Sequence, residues 1–127
     1  SDHDVKMCLA TASDEYVIRA AFERCGISSF FNKIFTCTNV GHGKDEPTIY
    51  LEANKYLQTS FQETVVFEDA LYALRTAKKC GFITVGVYDS YEQSQEEIRS
   101  LADYYINTFC DADLIKHLFV YFVSLFL

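Results

Sequence analysis

The sequence is short of bases, has a single proline, and holds no C-x-x-C pair and no apolar run near twenty residues. Eleven Lys and Arg stand against eighteen Asp and Glu, a formal net charge of −7. A nucleic-acid binder would show a basic face instead. Much of the acidic excess is local: Asp89 to Asp113 holds seven acids and one base, Arg99. That stretch reads as a solvated face that aids solubility. The five cysteines (Cys8, Cys25, Cys37, Cys80 and Cys110) are odd in number. Without C-x-x-C spacing, neither a disulfide framework nor a metal-binding cysteine set is supported. Cys8 and Cys80 lie within apolar runs and read as small core residues. A reducing, cytoplasmic compartment is the simplest expectation. The opening Ser1-Asp2-His3-Asp4 is polar, so no signal peptide is expected. Residues Leu118 to Leu127 read LFVYFVSLFL, with only Ser124 polar. This is about half of what a membrane span requires, so no span is expected. It reads as a buried terminal element or an oligomer contact, and exposed it would favour aggregation.

What remains is a chain of 127 residues, half apolar and 23% charged. That suits one compact domain over residues 1–127 with a core of its own. There is no internal repeat, low-complexity tract or domain boundary.

Short apolar runs alternate with helical patterns. Lys6–Thr11, Lys33–Thr36, Glu63–Phe67 and Phe82–Val87 read as strands, with Tyr104–Ile106 as a last edge strand. After the first strand, Ser13 offers a helix cap, and Val17, Ala20, Ala21 and Cys25 recur at helical spacing up to a stop at Gly26. Thr38 to Pro47 reads as a loop. Thr48 then caps a helix burying Ile49, Ala53, Tyr56 and Leu57. Ala70, Leu74, Ala77 and Cys80 mark a helix ended by Gly81. Gln95–Ala102, capped by Ser94, and Asp111–Phe119 are further helix candidates. Alternation of this kind, with apolar rather than alternating strands, predicts an α/β fold: a parallel sheet with helices on both faces.

Ligands of open parallel sheets bind beyond the carboxyl ends of the strands. Thr11, Lys44, the Glu68-Asp69 pair and Asp89 all fall near such ends. A hydroxyl and an ammonium both donate to phosphate oxygens. Adjacent carboxylates suit a hard cation such as Mg²⁺. Taken singly, each has a plainer reading: Thr11 as a turn residue, Lys44 as a solvated loop cation, Glu68-Asp69 as charge placed at a helix start.

Three stretches give the set a family. LATASDEYVIRAAFERCGI, GHGKDEPTIYLEA and VVFEDALYALRTAKKCGFITVGV resemble the second, third and fourth motifs of the haloacid dehalogenase-like (HAD) hydrolases, in their phosphatase and β-phosphoglucomutase-like branch. The resemblance spans residues 5 to 89 in the family's order. It implies a Rossmann-like core and a Mg²⁺-dependent phosphatase or phosphomutase acting on a small phosphorylated metabolite. Thr11 and Lys44 would take the catalytic positions. Thr11, Ala12 and Lys44 would bind the phosphoryl group, and Glu68 and Asp69 would hold Mg²⁺.

The chain departs from the family pattern at Asp45, where proline is usual, at Thr48, where Asp is usual, and at Ala73, where Gly is usual. The larger departure is a missing motif. Similar proteins begin with a strand ending in D-x-D-G-T, whose first Asp is the nucleophile, followed by a helical cap. Neither is present; Asp2-His3-Asp4 has the spacing but no strand before it and no Gly-Thr after it. The expectation is therefore a single partial core lacking the nucleophile strand and the cap, and inactive alone. In the family's sheet that strand lies between those ending at Thr11 and Glu68, so its loss predicts a central gap. A missing N-terminal segment, a second copy of the chain, or a rearranged strand pairing would have to fill it, with the tail at Phe119–Val123 as the candidate from within the chain. The alternative function is a non-catalytic phosphate- or partner-binding module. A flavodoxin-like or receiver-type domain fits less well, because the receiver order of Asp, Thr and Lys is not met.

Overall fold

The computed structural model describes residues 7–26, 31, 33–107 and 123–125. The elements in chain order are β1 (Met7–Thr11), α1 (Glu15–Cys25), β2 (Ile34–Thr36), α2 (Cys37–Val40), α3 (Thr48–Leu57), a 3₁₀ turn (Phe61–Glu63), β3 (Val65–Glu68), α4 (Leu71–Cys80), β4 (Ile83–Val87), α5 (Gln95–Leu101), β5 (Tyr104–Ile106) and β6 (Val123–Leu125). They form one six-stranded sheet in the order β2-β1-β6-β3-β4-β5, with every neighbouring pair parallel. All strands therefore end at one edge of the sheet, which is where the candidate side chains gather.

Helices cover both faces. Successive strand residues point to opposite sides, and β1 shows the consequence. Leu9 clusters with Ile18 and Phe22 of α1, whereas Ala10 clusters with Ile49 and Tyr50 of α3. The second cluster continues through Val66, Ala77 and Phe82, joining α3 to α4 across the sheet. Leu71 and Leu74 of α4 meet Ile98 of α5. Gly26 and Gly81 end α1 and α4 in the left-handed conformation that the sequence assigns to them.

Several details differ from the sequence reading. Among the described side chains of α1, Ile18 and Phe22 are buried, while Val17 and Ala20 face solvent. Both sets satisfy helical spacing, and the pair with the larger apolar surface is the one withdrawn from water. The N-cap of α1 is Asp14 rather than Ser13, whose N–H instead donates to the Thr11 hydroxyl. Pro47, not Thr48, stands at the N-cap of α3, and Tyr50 rather than Tyr56 is buried there. The loop after β2 begins with the short helix α2, capped by Thr36 through the Asn39 N–H. Ser94 occupies the N-cap of α5 without a side-chain bond. The helix expected over Asp111–Phe119 lies outside the described residues.

The central gap is filled from within the chain. Val123 and Ser124 of β6 stand in register with Met7 and Cys8 on one side and with Val65 and Val66 on the other. The strand lies just beyond the expected Phe119–Val123 and shares only Val123 with it. Without β6, the edges of β1 and β3 would carry unpaired backbone groups, each costing roughly 1–3 kcal/mol when buried.

Candidate functional site at the carboxyl edge of the sheet

The loop after β2 returns Lys44 to the end of β3. There Lys44 and Glu68 are 4% and 1% exposed, and Lys44 Nζ donates to Glu68 Oε2 at 2.8 Å. The Tyr50 hydroxyl, from the first turn of α3, donates to the same oxygen at 2.6 Å. Two buried donors thus share one carboxylate oxygen. Burial pushes the Glu68 carboxyl upward, and Lys44 and Tyr50 oppose it. Burial, reinforced by the Glu68 charge, pushes the Tyr50 hydroxyl well above its ordinary value, so it remains a donor.

Asp69, the next residue, is partly buried. Burial first, then the neighbouring charge of Asp89, raises its carboxyl; Lys44 pulls the other way and Glu92 adds to the rise. Carboxylates therefore crowd around Asp69, an environment that a hard cation would relieve. Glu92 also caps α4, its Oε1 accepting from the Leu71 N–H at 2.8 Å. No group of three His, Cys, Asp or Glu among the described residues is arranged to hold a metal ion. The donor set fits a cation bound to Asp69, with waters completing its shell. Glu68 Oε2 already accepts from two side chains, so Glu68 would act on the cation through water.

Thr11 ends β1 at the same edge, across β6 from Glu68. It is fully buried, and its Oγ1 accepts from Ser13 N–H at 3.0 Å, closing a local turn over exposed Ala12. The structure thus gathers Lys44, Glu68 and Asp69 and places Thr11 and Ala12 on the far side of β6. Tyr50 and Glu92 were absent from the sequence reading. Tyr50 was detectable, because Tyr50, Ala53, Asn54 and Leu57 follow i, i+3, i+4, i+7 spacing and are all buried. Glu92 carried no local signal, since its partner lies 21 residues away.

Known proteins resemble this chain in sequence and in fold. Residues 1–87 match the haloacid dehalogenase-like hydrolase family. Two Saccharomyces cerevisiae proteins, 2-deoxyglucose-6-phosphate phosphatases 1 and 2, are each 33% identical over 97 residues, covering 70% of this chain and 39% of their own length. The fructose-1-phosphate phosphatase YqaB of Escherichia coli is 26% identical over 81 residues, 64% of this chain and 43% of its own. The chain therefore spans about two fifths of the length of these relatives. Among solved structures, a HAD phosphatase from Thermococcus onnurineus superposes with a TM-score of 0.73 at 25% identity, covering 87% of this chain and 50% of that one. A Thermotoga maritima structure described as a beta-phosphoglucomutase reaches 0.76 at 24% identity, covering 88% and 52%, and shares the fold. No helix among the described residues is long and apolar enough to cross a membrane. The chain belongs to the haloacid dehalogenase-like hydrolase family.

Proposed function

We propose that this chain carries the anion- and cation-binding part of a Mg²⁺-dependent phosphatase or phosphomutase site for a small phosphorylated metabolite. The names of its relatives put sugar phosphates first. The observation that carries this reading is the buried Lys44–Glu68 pair beside Asp69 at the carboxyl edge of a parallel sheet. Lys44 supplies fixed positive charge to a phosphoryl group. Glu68 and Tyr50 orient that ammonium. Asp69 holds Mg²⁺, which when bound neutralises charge on the phosphate. Thr11, with the backbone at Ala12, completes the anion's surroundings once the Thr11 hydroxyl turns from Ser13.

These 127 residues include no D-x-D-G-T strand to accept a phosphoryl group, so the chain alone binds without turnover. One feature favours a second reading, a non-catalytic phosphate- or partner-binding module: β6 already closes the sheet between β1 and β3. Assay of an aryl phosphate with and without Mg²⁺ should show no turnover. Inorganic phosphate together with Mg²⁺ should raise the melting temperature. Turnover by the pure chain overturns the inactivity. A melting temperature indifferent to both additions overturns the binding site.

A further inference from the structure

We infer that Tyr50 is a positioning residue that sets the Lys44 ammonium through Glu68. The inference rests on the phosphate-site reading above and deepens it. Lys44 and Tyr50 reach the same Glu68 oxygen from two different elements, at 2.8 and 2.6 Å, and all three groups are nearly sealed from water. The Tyr50 oxygen also lies 3.4 Å from the carbonyl of Ala73 in α4. One hydroxyl proton cannot serve both acceptors fully, and the shorter bond to the charged oxygen dominates.

The consequence is electrostatic. A buried carboxylate needs donors. While Tyr50 supplies one, Glu68 draws less on Lys44, and more of the ammonium's field remains for an incoming anion. Remove the hydroxyl and Glu68 must satisfy the same oxygen from Lys44 alone. The ammonium is then pulled toward β3, and anion affinity falls, although Tyr50 itself never touches the anion. The aromatic ring is needed only for packing, against Phe82 at 6.5 Å between centroids, and phenylalanine preserves that.

The test uses the full chain and inorganic phosphate. Calorimetric titration of Tyr50→Phe should show phosphate binding about 3- to 10-fold weaker than the unmutated chain, the scale of one hydrogen bond to a charged group. The same substitution in a Glu68→Gln background should change affinity little, because the route through the carboxylate is gone. Equal affinity of Tyr50→Phe and the unmutated chain, or an equal loss in both backgrounds, overturns the inference. A second measurement stands apart from phosphate and from Glu68→Gln. The side-chain NMR signal of Lys44, in protein with labelled lysine, should move in Tyr50→Phe and stay in place in Tyr56→Phe. If phosphate binds nothing, the site reading falls, and the Lys44 signal still decides the role of Tyr50: an unmoved signal refutes it.

Discussion

Gly86 and Ile98 are packed so closely that a Cβ placed on Gly86 would lie 2.5 Å from Ile98 Cγ2. Ile98 is fully buried against Leu74. The same Cβ would lie 3.2 Å from the Tyr105 ring. Ile98 has no open space to retreat into, so the requirement for glycine here is steric. Gly86→Ala should destabilise the fold by about 1–3 kcal/mol, the usual cost of overpacking. Urea unfolding would record this as a lower midpoint with an unchanged slope. Because Gly86 is in register with Glu68 on β3, a displaced β4 should also lower the affinity for phosphate. An unaltered midpoint would show that α5 yields more easily than its packing implies.

The position of β6 makes a sharper demand on the backbone. Ser124 lies opposite Cys8 on one side and Val66 on the other, in the middle of a parallel sheet. Proline there removes a ladder donor and is tolerated almost only at sheet edges. Ser124→Pro should cost about 3 kcal/mol or more and broaden or abolish cooperative unfolding, while Ser124→Thr should leave it intact. Normal unfolding of the proline variant would mean that the last strand is not held between β1 and β3.

These two positions also mark where the sequence was readable. Parallel strands, stop glycines and the Glu68-Asp69 pair are local signals, and β1, β3, β4 and β5 lie within a residue or two of their expected places. Pairing partners are not local. A gap between the strands of Thr11 and Glu68 followed from comparison with the family order, but choosing its occupant required knowing which apolar segment returns to the sheet centre. The tail advertised only its hydrophobicity. Stripe choice on α1 failed for a related reason: the helix carries two sets of residues at helical spacing, and only the sheet beneath decides which is buried. On α3 the buried Ile49, Ala53 and Leu57 were legible. The reading there took Tyr56 for Tyr50, and with Tyr50 it missed the second donor to Glu68.

Asp103 should control part of the acid sensitivity. Burial works upward on its carboxyl, but the bond from Lys78 and those from the Thr84 N–H and hydroxyl outweigh it, so its folded value lies below the ordinary 3.8. A group depressed on folding contributes stability above its unfolded value and loses it as pH falls through the folded one. Stability should therefore decline below about pH 4. Asp103→Asn should flatten that limb by lowering stability at neutral pH, where the ionised carboxylate holds Lys78 and Thr84, while changing little below about pH 3. Because Lys78 and Asp103 are partly exposed, added salt should weaken the Lys78 share and leave the Thr84 share. Denaturation midpoints measured across pH at two ionic strengths would separate the two. An acid limb unaltered by Asp103→Asn would assign it to other carboxylates.

The buried Lys44–Glu68 pair predicts strong non-additivity. Lys44→Met leaves the Glu68 carboxylate with Tyr50 but without its countercharge, deep in the protein. Breaking one side of such a pair typically costs about 3–5 kcal/mol. Glu68→Gln leaves the ammonium uncompensated and should also destabilise. The double variant Lys44→Met/Glu68→Gln removes both charges and keeps the packing volume, so its loss should fall well short of the sum of the singles, with a coupling of about 1–3 kcal/mol. Its phosphate affinity should nonetheless be gone, because the fixed positive charge has left the site. Stability and anion binding would then separate, as expected if the pair costs desolvation that neutral groups avoid and Lys44 serves the proposed anion site. Additive losses in the cycle would place the two side chains apart in solution and break the site at its centre.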